Sequence, residues 1–108
     1  MEMIIAVEAL DALAHETRLS VFRLLVKAGS DGLSAGEIAE RLEARQNTMS
    51  SHLHKLSRAG IVTSERDGRH IIYRADFNAV RQLILYLMED CCGGSAELCG
   101  PIVASIKC

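Results

Sequence analysis

At 108 residues the chain has room for one domain, of the usual size of about 100 to 150 residues, and none for a second catalytic one. With 49% apolar residues, 24% charged residues and a single proline, the composition excludes a disordered chain and supplies material for a core. The formal net charge of −2 conceals an asymmetry: Arg45 to Arg74 holds six bases against two acids, a net of +4, while the rest holds six bases and twelve acids, a net of −6. A basic segment inside an acidic chain suits a local anionic partner such as nucleic acid, although charge alone fits a solvated face nearly as well.

The spacing of Ile4, Val7, Leu10 or Asp11, and Ala14 predicts a short helix from Met3 to Ala14 with an apolar stripe. Thr17 to Ala28 predicts a second helix with Leu19, Phe22, Leu25 and Val26 on one face, stopped by Gly29. Ser34-Ala35-Gly36-Glu37 fits a capping box, so a third helix starts there, with Ile38, Ala39 and Leu42 on its buried side. A few residues later Gln46 to Ala59 repeats the helical period. Met49, Leu53 and Leu56 face the core in that register, Asn47, Ser50, Ser51, His54 and Arg58 project elsewhere, and Gly60 takes the left-handed position past the end.

The period then changes. Ile61 to Glu65 and His70 to Arg74 are rich in β-branched and aromatic residues, and Asp67-Gly68 between them signals a hairpin turn. Asp76 caps a last long helix in which Phe77, Val80, Leu83 or Ile84, Leu87 and Met88 form a broad apolar face, and Gly93-Gly94 ends it after Cys91-Cys92.

Helix, turn, helix and hairpin in this order describe a winged helix-turn-helix: a mainly α, α+β fold whose second helix enters the major groove while the hairpin reaches across the backbone. Gln46 and Asn47 can pair with adenine edges, Ser50 and Ser51 can serve bases or phosphates, and His54, Lys55 and Arg58 supply donors farther along. Arg66 and Arg69 flank the hairpin tip, where a guanidinium can meet phosphate or the minor groove. Any one of these residues alone would pass for ordinary solvated surface. Their combination in the chain's net-basic segment points to double-stranded DNA.

Three segments carry a resemblance to ArsR/SmtB-type metalloregulatory repressors over about residues 8 to 92: Ala9-Leu10-Asp11-Ala12-Leu13-Ala14-His15-Glu16-Thr17-Arg18-Leu19, Gln46-Asn47-Thr48-Met49-Ser50-Ser51-His52-Leu53, and Leu56-Ser57-Arg58-Ala59-Gly60-Ile61-Val62 leading to Arg66-Asp67-Gly68-Arg69. The resemblance implies a homodimer that represses its own operon by covering the operator and lets go when an inducing ion binds; Thr48 joins the DNA-contact set. The chain departs from the family pattern at His15-Glu16, where Asp-Pro is common, and at Arg45, where a serine often caps the recognition helix, at a cost of about 1 kcal/mol. A dimer also follows from the residues: the helices at both ends carry more apolar surface than one small winged helix covers, and two recognition helices about 34 Å apart match a palindrome one DNA turn long. The expected division is residues 1–92 for DNA binding and dimerisation and 93–108 as a tail contributing ligands.

No uncharged apolar run approaches the roughly 18 residues that would cross a bilayer, and Met1-Glu2-Met3 brings no basic leader, so a soluble cytoplasmic protein without a membrane partner is expected. In a reducing compartment the four cysteines lean toward metal binding or sensing rather than disulfides. The Cys-x-Cys site of some arsenic repressors is missing, because Ser34, Ala35 and Gly36 stand there. The zinc site of the last helix would fall on Asp76, Asn78, Glu89 and Cys92, without its histidines. Cys91, Cys92 and Cys99 remain, with Cys108 at the end; three soft thiolates suit a soft trivalent ion. Some arsenic-responsive members of the family, which this chain resembles, have a Cys-Cys pair after the last helix and a third cysteine a few residues on. That resemblance implies As(III) as inducer, held by Cys91, Cys92 and Cys99, with Sb(III) also fitting and no organic cofactor.

Zinc or cadmium with Cys108 as a fourth thiolate is the next reading. A thiol-redox or persulfide sensor is the third, disfavoured because Glu89, Asp90 and Glu97 raise thiol pKa values. An enzyme is not expected: a thiol oxidoreductase wants its cysteine before a helix start, and His15, His52, His54 and His70 form no triad or H-E-x-x-H motif.

Overall fold

The computed structural model describes residues 1–89. Five α-helices and a small antiparallel sheet follow in the order α1 (Met3–Leu13), α2 (Glu16–Ala28), a 3-10 turn (Gly29–Asp31), β1 (Leu33–Ser34), α3 (Ala35–Arg41), α4 (Gln46–Arg58), β2 (Val62–Asp67), β3 (His70–Ala75) and α5 (Phe77–Leu87). This is the expected winged helix-turn-helix. The core is built from Val21 and Leu25 of α2, Ile38 of α3, Met49, Leu53 and Leu56 of α4, and Ile61 at the foot of the hairpin, all essentially free of solvent.

The apolar stripe expected on α1 is turned away from the core, and the face expected on α2 is only partly buried. In α1 the buried residues are Ala6, Ala9 and Ala12, whereas Ile4 is 65% and Val7 53% exposed. The small side chains let α1 lie close to its neighbours, and the larger ones are turned outward. In α2, Val21, Phe22 and Leu25 are buried, while Leu19 and Val26, expected on the same face, are exposed. Helix α2 also starts earlier than expected, at Glu16, because the His15 ring is its N-cap: Nδ1 accepts the Thr17 amide at 3.2 Å. The preceding helix is closed by Arg18, whose Nε donates to the Ala12 carbonyl at 2.7 Å.

The capping box at α3 is complete. The Glu37 amide donates to Ser34 Oγ and the Ser34 amide to the Glu37 carboxylate, both at 3.2 Å. The Ser34 amide, bonded to the carboxylate, and then the Ser34 hydroxyl beside it hold the Glu37 pKa below its usual value. Helix α3 then ends in a Schellman arrangement: the Ala44 amide donates to the Ala39 carbonyl at 2.9 Å and the Glu43 amide to the Glu40 carbonyl at 3.2 Å. The left-handed residue this requires is Glu43, at φ 52°, where glycine would be unstrained. That turn sets the angle between α3 and α4.

Leu33 and Ser34 add a strand that sequence periodicity did not reveal, so the sheet has three strands in the order β1-β3-β2. Leu33 pairs with Tyr73 and Ser34 with Ile72. The tie is close at Gly32, which has φ +66° and whose added Cβ would lie 2.7 Å from both Ile72 Cγ2 and the Tyr73 carbonyl oxygen. In the hairpin Asp67 pairs with His70, so the two loop residues are Gly68 and Arg69, one position later than the Asp67-Gly68 signal. Positive φ at Gly68 alone of the two matches a type II′ turn rather than type I′.

Asp76 caps α5 as expected, its Oδ1 accepting the Ala79 amide at 3.1 Å. The helix stops at Leu87 with Met88 as its C-cap, short of the expected stop at Gly93-Gly94. Of its apolar residues Leu83 is buried and Val80 and Tyr86 pack on the core, but Phe77, Leu85 and Leu87 are exposed. Tyr86 Oη donates to the Met3 thioether at 3.6 Å, joining the first and last described helices. Among the described residues no helix is long and apolar enough to cross a membrane.

Candidate nucleic-acid interface

Helix α4 is amphipathic because its three large apolar residues repeat at i, i+4 and i+7, and Met49, Leu53 and Leu56 are fully buried. At about 3.6 residues per turn this forces Asn47, Ser51, His54 and Arg58 onto the opposite side. Thr48 and Lys55 fall on one flank of that face, Gln46 and Ser50 on the other. All eight are exposed.

The ends of α4 are held unequally. Arg45 occupies the N-cap without a side-chain hydrogen bond, as expected where serine is lacking, and Gly60 follows the C-cap at φ +81°. Some polar groups on the face are already engaged. Asn47 Oδ1 accepts the Thr48 amide at 2.8 Å, and Ser50 Oγ donates to the Gln46 carbonyl at 3.1 Å. Ser50 therefore presents acceptor lone pairs outward, while Gln46, Ser51 and His54 offer side-chain groups to a ligand.

The hairpin places Arg66 and Arg69 at its tip, both exposed, with Arg66 Nε reaching the Gly68 carbonyl at 3.4 Å. A third arginine of the basic segment has a different task. Arg74 donates from Nε to the Ser30 carbonyl at 2.8 Å and from Nη1 to the Glu65 carboxylate at 3.0 Å, clamping the hairpin to the turn after α2. Recognition helix and wing thus carry all ten candidate DNA-contact residues on exposed positions of two elements fixed to one core.

On the Thr48–Lys55 flank, α4 meets the end of α1. Lys55 Nζ lies 3.2 Å from the Asp11 carboxylate, in a shallow cleft also lined by Glu8 and Arg58. Nearer the start of α4, the rings of His52 and His15 stand 4.8 Å apart, inclined at 47°. Burial chiefly, then the His15 ring and the Arg18 guanidinium, hold the His52 pKa below its ordinary value of 6.5. Sequence reading did not single out Asp11, His15 or His52 as a group, because nothing local links positions 11 and 15 to 52 and 55.

Among the described residues no group of three or more His, Cys, Asp or Glu side chains is arranged to hold a metal ion. The expected ligands Cys91, Cys92 and Cys99, like Cys108, lie outside the described residues.

A recognition helix with a polar outer face, a tight turn behind it and an arginine-tipped wing define the class: a winged helix-turn-helix DNA-binding protein. Residues 13–65 match the family model of a helix-turn-helix domain. The chain is 33% identical over 87 residues to the transcriptional activator HlyU of Vibrio cholerae, covering 81% of this chain and 78% of that one. It is similar to the solved ArsR-like transcriptional regulator of Rhodococcus sp. RHA1, with a TM-score of 0.73 at 26% identity, covering 96% and 93% of the two chains. A structure described as "Possible transcriptional regulator for arsenical resistance" matches with a TM-score of 0.64 at 31% identity, covering 74% and 80%. The chain belongs to the ArsR-type family of winged helix-turn-helix transcriptional regulators.

Proposed function

We propose that the protein is an arsenic-responsive repressor: a homodimer that occupies operator DNA and is released when As(III), or Sb(III), is captured by the Cys91, Cys92 and Cys99 thiolates. The observation that carries the reading is the grouping of three thiols within nine residues, directly after the winged helix-turn-helix of a transcriptional regulator. Soft trivalent ions favour such a set, and capture displaces the thiol protons itself. Similarity to a protein described in terms of arsenical resistance supports the same inducer.

The outward Met3, Ile4, Val7 and Leu10 of α1, together with the exposed Phe77 and Leu87 of α5, support the homodimer, since a second copy is the natural cover for apolar surface on the first and last described helices. Residues 1–92 then bind DNA and dimerise, and residues 93–108 bring in the third ligand. Ion capture beside the dimer helix alters the separation or tilt of the two recognition helices. A coupling of about 1 to 3 kcal/mol weakens operator binding roughly 5- to 150-fold.

The test is fluorescence anisotropy on a palindromic duplex, titrated separately with arsenite, zinc and peroxide. Arsenite is expected to release the DNA, and Cys91→Ser, Cys92→Ser or Cys99→Ser to abolish release while leaving DNA affinity intact. A response to zinc that depends on Cys108 would replace this reading with a tetrathiolate sensor, and a response to peroxide alone with a redox sensor. HlyU is named an activator, so a promoter-reporter assay decides the sign: expression rising on deletion of the gene is the repressor's outcome.

A further inference from the structure

Lys55 belongs to the candidate phosphate-binding set, yet its ammonium is held 3.2 Å from the Asp11 carboxylate. The two partners sit on helices with different tasks. Asp11 is on α1, whose neighbouring Val7 and Leu10 face outward, and Lys55 is on the flank of the recognition helix. Both side chains remain accessible, at 50% and 65% exposure, so a phosphate oxygen can reach the same ammonium from solvent. One ammonium beside an exposed carboxylate cannot give full charge to both. Approaching DNA must either break the ion pair, leaving an uncompensated carboxylate beside its phosphates, or share the ammonium with that carboxylate.

We propose that Asp11 is a built-in brake on DNA affinity: it competes with phosphate for Lys55 and keeps that lysine out of the sequence-independent part of binding. The proposal rests on α4 being the DNA-contacting helix. It explains why a basic residue on this helix faces an acid on a neighbouring one, an arrangement that a helix selected only for affinity would lack. Because phosphate contacts add affinity to every duplex alike, withholding one lowers affinity for all of them and leaves discrimination to the base-facing residues of the same helix. Glu8 lines the same cleft and is not in the ion pair, which provides an internal control of equal charge.

The experiment measures anisotropy of a labelled mixed-sequence duplex about three helical turns long over a series of salt concentrations. The proteins are the natural chain, Asp11→Asn, Lys55→Ala, the double variant and Glu8→Gln. All these positions are exposed, so the variants should fold, and a thermal melt of each checks it. Asp11→Asn is expected to tighten binding by about two- to fivefold for each recognition helix engaged, the range an exposed ion pair spans. Its salt slope should steepen by about 0.9 for each. Lys55→Ala should cost more affinity in the Asp11→Asn background, where the ammonium is free for phosphate and its loss erases the gain, than in the natural chain.

Three results overturn the proposal. In the first, Asp11→Asn leaves affinity and slope unchanged. In the second, its gain survives without Lys55 and is matched by Glu8→Gln, so that only net charge matters. In the third, Lys55→Ala costs the natural chain as much as it costs Asp11→Asn, the result expected if the lysine were already spent on phosphate. A natural chain that ignores the duplex at low salt overturns the DNA-binding reading and the brake together, whereas the other failures leave that reading standing.

Discussion

In α4 the large apolar residues Met49, Leu53 and Leu56 point into the core and the outside is polar; in α1 the core takes Ala6, Ala9 and Ala12, and Ile4, Val7 and Leu10 point out. The two helices are of similar length and touch each other, so the inversion is not a matter of position in the chain. A polar outer face suits a wet, charged ligand such as a duplex. An apolar one suits another protein surface. The large side chains of a helix thus need not mark its core face: in α1 close approach selects small residues inside and leaves the large ones outside.

Deletion of volume separates the two helices most sharply. Leu53→Ala empties a fully buried site and should cost about 2 to 5 kcal/mol in denaturant unfolding, whereas Val7→Ala should leave subunit stability nearly unchanged. Adding volume reverses the ranking on α1: Ala9→Leu should cost about 1 to 3 kcal/mol by pushing the helix off its neighbours. A charge on the outward stripe, Val7→Asp, should weaken self-association by about tenfold or more in sedimentation, with the circular dichroism of the folded subunit retained. If dimers persist unchanged, the outward face of α1 has another purpose.

Smaller effects arise at the junctions that orient α4. Glu43→Gly should raise stability by about 0.5 to 1 kcal/mol, since glycine adopts the left-handed conformation at φ 52° without strain. The smallest effect is with pH. His52 has its folded-state pKa depressed, so the unfolded chain binds the proton more readily. Stability from this group is fully present above about pH 6.5 and is lost as pH falls through the lower folded-state value. Urea unfolding between pH 7.5 and about 5 should show that loss, and His52→Gln should flatten it. His15→Asn should lessen it, because asparagine can retain the cap on α2 while the facing ring is gone.

Helix α4 was legible because large apolar residues repeat at helical spacing, and α3 because Ser34 and Glu37 announce its start. Alanines at positions 6, 9 and 12 carry little hydropathy contrast, so the core face of α1 was hidden behind its larger residues. The two-residue strand β1 has no periodicity of its own and exists only because β3 lies beside it. The candidate contact residues of α4 and the wing could be named in advance, because their exposure follows from the buried register. The Asp11–Lys55 and His15–His52 contacts could not, since each depends on how α1 and α2 dock on α4, and docking is set by close packing rather than by local pattern.

Among the described glycines, Gly32 has the least room for a side chain. Any other amino acid would bring a carbon within 2.7 Å of the Tyr73 carbonyl oxygen in a backbone conformation side chains disfavour, and the third strand would have to peel away. The wing would then keep its hairpin but lose the anchor that aims it. A saturation library at this codon, selected for occupancy of DNA, should therefore return only the parent residue.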